Sequence, residues 1–348
     1  MGARGWLNLA LAAAVAGLAA VLWLEPGKET PPPKPKLLAI DKAGVRRIVV
    51  ERPGREALEL QRRGDHWWLV RPFEVPAARF RAESILGLAG AESESRFEAA
   101  EAELARYGLE PPKAVVRFDD AATVAVGGTD PIDLRRYVRV DGQRTVHLVR
   151  DTFYTELAAD AAELVSTRLI PPGWEPVEIA VPGLTVRRGG EGRWEPDAAH
   201  RDASADALAA FVDAWRTRRA LWVERLDKAG RAALARAPTV RLRLRRAGTG
   251  REDGDEALLE LRYRLVTRES DKGLVREDLG LVWRITPAAA GELLELREPE
   301  PPADARKSGE AAPAGGEGEA GKGGSRADGT DAGKDGLKDT GAATGAGR

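Results

Sequence analysis

The chain of 348 residues carries 54 basic and 55 acidic side chains, without the basic excess expected of a nucleic-acid-binding domain. Cysteine is absent, which excludes disulfides, thiolate catalysis, cysteine metal sites and a lipoprotein anchor. The length allows two or three domains of roughly 100–200 residues.

Trp6 to Leu24 is an uncharged, mainly apolar run with a tryptophan near each end. As a helix it would be roughly 28 Å long, about the thickness of a bilayer's hydrocarbon core. The indoles of Trp6 and Trp23 suit the headgroup level. A cleavable signal peptide, cut near Gly17-Leu18-Ala19, is the rival reading, but apolar residues continue through Val21-Leu22-Trp23-Leu24. The expectation is therefore a retained single-pass membrane anchor over 1–25, with the N-terminus cytoplasmic and the bulk of the chain on the extracytoplasmic side. Residues 26–36, with five prolines, should form a semi-rigid polyproline spacer.

The next two segments repeat one plan at an offset of about 126 residues, a period that is sought before any fold is assigned. In 37–170, short strands are expected at Val45–Glu51, Ala57–Gln61 and Trp67–Arg71, with turns at Pro53-Gly54 and Gly64-Asp65. A helix follows over Ala78–Ala91, weakened by Gly87 and Gly90, then a short helix over Glu101–Arg106 ending at Gly108. Strands at Ala114–Phe118, Tyr137–Val140 and Thr145–Val149 precede a helix over Thr152–Leu164. Asp119-Asp120 and Asp141-Gly142 read as hairpin turns.

In 171–298, strands are expected at Val177–Val181, Leu184–Arg188 and Arg193-Trp194, then a helix over Ala205–Arg216 with Ser204 as N-cap. Val240–Arg245, Leu259–Val266 and Leu281–Ile285 are further strands, and Ala288–Leu296 closes helically. The offset carries Ala82, Ile85, Leu86 and Ala89 onto Leu208, Phe211, Val212 and Trp215, each set spaced as one face of a helix. The expected class is α+β: two tandem repeats, each an antiparallel sheet with helices packed on one side, preceded by one transmembrane helix. Residues 299–348 are a Gly-, Ala- and charge-rich tail that cannot offset its ordering entropy by burial and should be disordered.

Two motifs point to a family. Gly64-Asp65-His66-Trp67 leads to a proline, and Arg106-Tyr107-Gly108-Leu109-Glu110-Pro111-Pro112 precedes a strand. With the N-terminal apolar segment, they resemble a bacterial domain-of-unknown-function family, number 4340, of membrane-anchored proteins encoded beside ABC transporters of the gliding-motility type. The resemblance covers about 37–170. It is weaker in the second copy, where Ala233-Leu234-Ala235-Arg236-Ala237-Pro238 lacks the Tyr-Gly-Leu core. It implies a periplasmic accessory protein of the inner membrane, working with an ABC-type complex and carrying no catalytic residues.

The residues themselves offer little catalytic chemistry. His66, His147 and His200 lie far apart without metal-ligand spacing, and no Gly-x-Ser-x-Gly elbow is present. Gly316–Lys322 imitates phosphate-loop patterns, but without the flanking strand and helix that such a loop needs. Asp119-Asp120 and Glu252-Asp253-Gly254-Asp255-Glu256 read as solvated turns and loops without calcium-loop spacing. No catalytic residue, metal or cofactor is expected, and no nucleic-acid partner. Arg241, Arg243 and Arg245 line one strand face, and Arg262 and Arg264 the next; they read as a solvated face, with an anionic cell-envelope polymer as the alternative partner. An extracytoplasmic hydrolase is the third reading. Adjacent strand residues point to opposite faces, so one of Trp67 and Trp68 must leave the core and could meet a partner or the other copy.

Overall fold

The computed structural model describes residues 2–24, 34–248, 258–268 and 271–298. The tail from 299, most of the spacer, the acidic group Glu252–Glu256 and the phosphate-loop imitation at Gly316–Lys322 lie outside the described residues.

After α1 (Ala3–Leu24), a first sheet is built from β1 (Arg47–Glu51), β2 (Leu58–Arg63), β3 (His66–Arg71), β4 (Val75–Pro76), β5 (Ser93–Glu98), β6 (Ala114–Phe118), β7 (Ala122–Thr129), β8 (Arg136–Val140) and β9 (Thr145–Val149). All its pairings are antiparallel, in the order β4-β3-β2-β1-β6-β7-β8-β9-β5. Between β4 and β5 runs α2 (Arg79–Gly87), and after β9 comes α3 (Tyr154–Ala158).

The second sheet holds β10 (Trp174–Val181), β11 (Leu184–Arg188), β12 (Trp194–Pro196), β13 (Trp222–Arg225), β14 (Thr239–Arg246), β15 (Leu259–Arg268), β16 (Asp271–Arg276) and β17 (Leu281–Ile285). Their order is β12-β11-β10-β14-β15-β16-β17-β13. α4 (Ala205–Thr217) precedes β13, α5 (Lys228–Ala233) follows it, and α6 (Pro287–Leu294) ends the described chain. In both sheets the strand after the main helix is placed last, beside the final hairpin; β4 apart, the two orders coincide.

The core follows the expected stripes. Ala82, Ile85, Leu86 and Ala89 are buried against the first sheet, and Leu208, Phe211, Val212 and Trp215 against the second. Ser204 caps α4, its hydroxyl accepting the Ala207 N–H at 3.0 Å. Asp119, at a φ of 48°, turns the β6–β7 hairpin while its carboxylate accepts the Arg47 N–H at 2.7 Å.

The expected α+β class is corrected to two antiparallel sheets of nine and eight strands with a few helices. The helices are shorter than their periodicity suggests. The one expected over 78–91 stops at Gly87, where a three-residue 3₁₀ turn takes over. That over 152–164 splits at Ala159, because Asp160 caps a new 3₁₀ turn at 161–164. Strands β4, β5, β7, β13 and β16 were not expected, since their apolar residues do not alternate cleanly.

Helices also do not keep to one side. The 3₁₀ segment Glu101–Tyr107 closes a small core with Leu109, Val146, Tyr137 and Phe97, apart from the main one. α5 and the turn after it do likewise over Leu226, Val266, Val275 and Val282. Such packing follows from strands that carry apolar residues on both faces.

The membrane-spanning element is corrected as well. α1 is a continuous helix, yet among the described residues no helix is long and apolar enough to cross a membrane. Asn8 and Gly17 interrupt its apolar run, and alanine, with little apolar surface, supplies much of the rest.

Residues 159–170 staple the two sheets. Ala78 N–H donates to Leu164 O at 2.7 Å and Ser166 N–H to Pro76 O at 2.8 Å, on the first-sheet side. On the other, Ala220 N–H donates to Thr167 O, Tyr263 OH to Leu169 O at 2.7 Å, and Trp283 Nε1–H to Ser166 O at 3.0 Å. Burial of the Tyr263 hydroxyl pushes its pKa up to about 12, so it remains a donor at any physiological pH. Leu164, Val165, Leu169 and Ile170 join one continuous apolar cluster shared by both sheets.

Candidate functional site

Beyond α4 the chain runs Ala220-Leu221-Trp222-Val223 into β13, which pairs with β17 through Trp222↔Arg284 and Val223↔Trp283. Val223 is buried in the shared core, while Trp222, on the opposite face of the strand, stays 44% exposed, and Leu221, just before the strand, 53%. β13 is the last strand of the second sheet, and the 161–164 turn lies near it. Between β13, the stapling segment and the start of α2 opens a groove of about 480 Å³. Ala78 and Arg81 line it from the start of α2. Large apolar side chains gathered at a groove's rim mark a contact surface more often than solitary ones do.

The groove is charged as well as apolar. Arg81 is held by Glu156 at 2.6 Å. Arg225 meets Glu56 and, at 3.1 Å, Asp160. Glu224 accepts from Arg284 Nε at 2.7 Å and from the Trp222 indole N–H at 3.0 Å, which fixes the indole's orientation. Glu163 caps the Asp160 N–H at 3.0 Å and lies 4.0 Å from Arg81. Two guanidinium groups, Arg81 and Arg225, and three carboxylates, Asp160, Glu163 and Glu224, line the groove itself.

The residues singled out by sequence fall elsewhere. Trp67 is 3% exposed, in the main core. Trp68 lies on the opposite face, half-buried, opposite Gln61 and Pro76, with the Arg63 guanidinium 4.8 Å from its ring centre. Register brings the arginine rows together, Arg241 opposite Arg262 and Thr239 opposite Arg264. Carboxylates sit among them. Glu260 bonds Arg262 at 2.6 Å and is 3.9 Å from Arg241, and Glu277 is 3.2 Å from Arg264. Glu178 is 3.6 Å from Arg243, and Glu175 3.7 Å from Arg245. The Arg262 hydrogen bond holds the Glu260 carboxyl below its usual range, so it stays ionised against the row. A larger cavity of about 790 Å³ lies over Arg241, Arg262, Arg264 and Arg276, but its arginines are paired in this way, Arg276 with Asp278 at 2.6 Å.

The histidines do not converge. His66 is exposed, His200 bonds Asp197 at 2.8 Å, and His147 Nδ1 meets Ser93 Oγ at 2.9 Å. Among the described residues no group of three or more metal-ligating side chains forms. Ser93 and His147 are both buried. Burial, aided by Arg96, lowers the His147 pKa, so the fold favours the neutral ring. The stability this provides is fully present above the unfolded pKa of about 6.5 and is lost as pH falls from there toward the depressed folded value. His147→Gln should flatten that loss, read as a smaller drop in Tm between about pH 7.5 and about pH 5.5. An unchanged drop would place the acid sensitivity elsewhere.

The groove was not visible in the sequence, because Asp160 and Arg225 meet only after folding. Its one signal is the apolar quartet Ala220–Val223 directly after a helix's end.

Residues 67–207 match a family described as a domain of unknown function (DUF4340). The match includes the α2 and stapling walls of the groove and ends before β13. No curated protein and no solved structure matches the chain.

Proposed function

The chain belongs to the DUF4340 family, and from that premise we propose that it is a non-catalytic interaction protein, attached to a lipid membrane through α1. Its contact surface is the groove at the junction of the two sheets. The observation that carries the reading is the exposure of Leu221 and Trp222 in a charged groove. α1 supports the location: Trp6, Leu7, Leu9, Leu11, Val15 and Leu18 are all exposed, a surface that water disfavours and lipid accepts. The extracytoplasmic side for the folded part is what the motif resemblance implies. The assembly it joins is an ABC-type membrane complex, as the motif resemblance implies. The Ser93–His147 contact is enclosed and offers no nucleophile to a substrate, which weighs against a hydrolase. The acids set among the arginine rows weigh against a polymer binder.

Deleting residues 2–24 should move the protein from the membrane pellet to the supernatant on cell fractionation. Trp222→Ala should leave it in the pellet but strip it of co-purifying integral-membrane subunits. An unchanged pellet fraction in the first case, or an unchanged set of subunits in the second, would contradict the corresponding half of the reading.

A further inference from the structure

The chemistry of the groove goes beyond the existence of a contact to the kind of segment that fills it. We propose that it takes a partner-protein segment in which an aliphatic or aromatic side chain is flanked by lysine or arginine. This rests on the interaction reading above and deepens it.

Two features select that occupant. The apolar wall, with Leu221 and Trp222 exposed in it, suits a large apolar anchor, and central anchors of that kind dominate interface energetics. The charged side chains that line it carry a small acidic excess, three carboxylates (Asp160, Glu163, Glu224) to two guanidinium groups (Arg81, Arg225). Glu163 is the least committed: about half exposed, it serves only a backbone N–H and a distant Arg81. A cation brought beside it gains attraction without breaking an existing pair. An acidic segment, or the anionic headgroup of a lipid, would add like charge to a site that already has an excess, and like-charge juxtaposition is how interfaces reject wrong partners.

The test uses the full-length protein and a fluorescein-labelled peptide alternating lysine with leucine, followed by fluorescence anisotropy. Two control peptides replace lysine by glutamate, or leucine by glycine. The lysine–leucine peptide should bind, with an affinity that falls steeply with added salt. Trp222→Ala and Glu163→Lys should each weaken it by about tenfold or more. Thermal unfolding of both variants, expected to be near that of the parent, shows that the fold survives. Equal binding of the glutamate peptide overturns the charge selection, and equal binding of the glycine peptide overturns the anchor. Binding that ignores both substitutions, or absence of binding, overturns the proposal outright. Loss of membrane subunits with Trp222→Ala is read separately: if it occurs without peptide binding, the interaction reading stands and this one falls.

Discussion

Trp67→Ala should lower the free energy of unfolding by about 3–5 kcal/mol, whereas Trp68→Ala should cost less than half as much. The two residues are neighbours on β3, and the pleat sends them to opposite faces. Trp67 is enclosed in the main core, so its removal leaves a cavity that the surrounding sheet cannot fill. Trp68 lies on the reverse face, under the Arg63 guanidinium and opposite Pro76, with water on its remaining side. Chemical denaturation distinguishes the two: the midpoint should fall sharply for Trp67→Ala and slightly for Trp68→Ala, with slopes preserved. Equal shifts would mean that Trp68 is as much a core residue as its neighbour.

Trp215→Ala should be as damaging as Trp67→Ala, and by a second route. Its side chain is fully enclosed, and its Nε1–H donates to Leu293 O at 2.9 Å, which ties α4 to α6. Alanine leaves both a cavity, at about 3–5 kcal/mol, and an unpaired carbonyl, at about 1–3 kcal/mol. Trp215→Phe separates the contributions, since it keeps most of the volume and loses only the donor. It should cost about 1–3 kcal/mol in the same denaturation experiment. If phenylalanine were as costly as alanine, the hydrogen bond and not the filled volume would be controlling.

The contrast between these tryptophans and Trp222 shows which parts of the molecule a sequence can reveal. Where apolar and charged residues alternate cleanly, as in Val240–Arg245, the strand is legible, because a half-buried strand requires that period. The helix faces of α2 and α4 are legible for the same reason. β5 is not: Ser93–Glu98 is almost wholly polar, and its place comes from pairing with β9. The overestimated helices have a local cause, since glycine at 87 and a new cap at Asp160 end them early.

The arginine rows were legible as a shared face, but their neutralisation was not. Glu178 comes from β10 and Glu277 from the turn after β16, and only the sheet's register brings them alongside. The groove is the extreme case. Its walls come from α2, the stapling segment and β13, about 140 residues apart along the chain, and no period in the sequence links them.

The central claim is that the junction groove meets a partner, and photo-crosslinking in intact cells tests it most directly. A benzophenone amino acid placed at Leu221 should join the protein covalently to an integral-membrane subunit, while the same group at Arg262, on the outer face of the second sheet, should yield little. Strong crosslinking from Arg262 with none from Leu221 would contradict the account and return the arginine face to the centre of the problem.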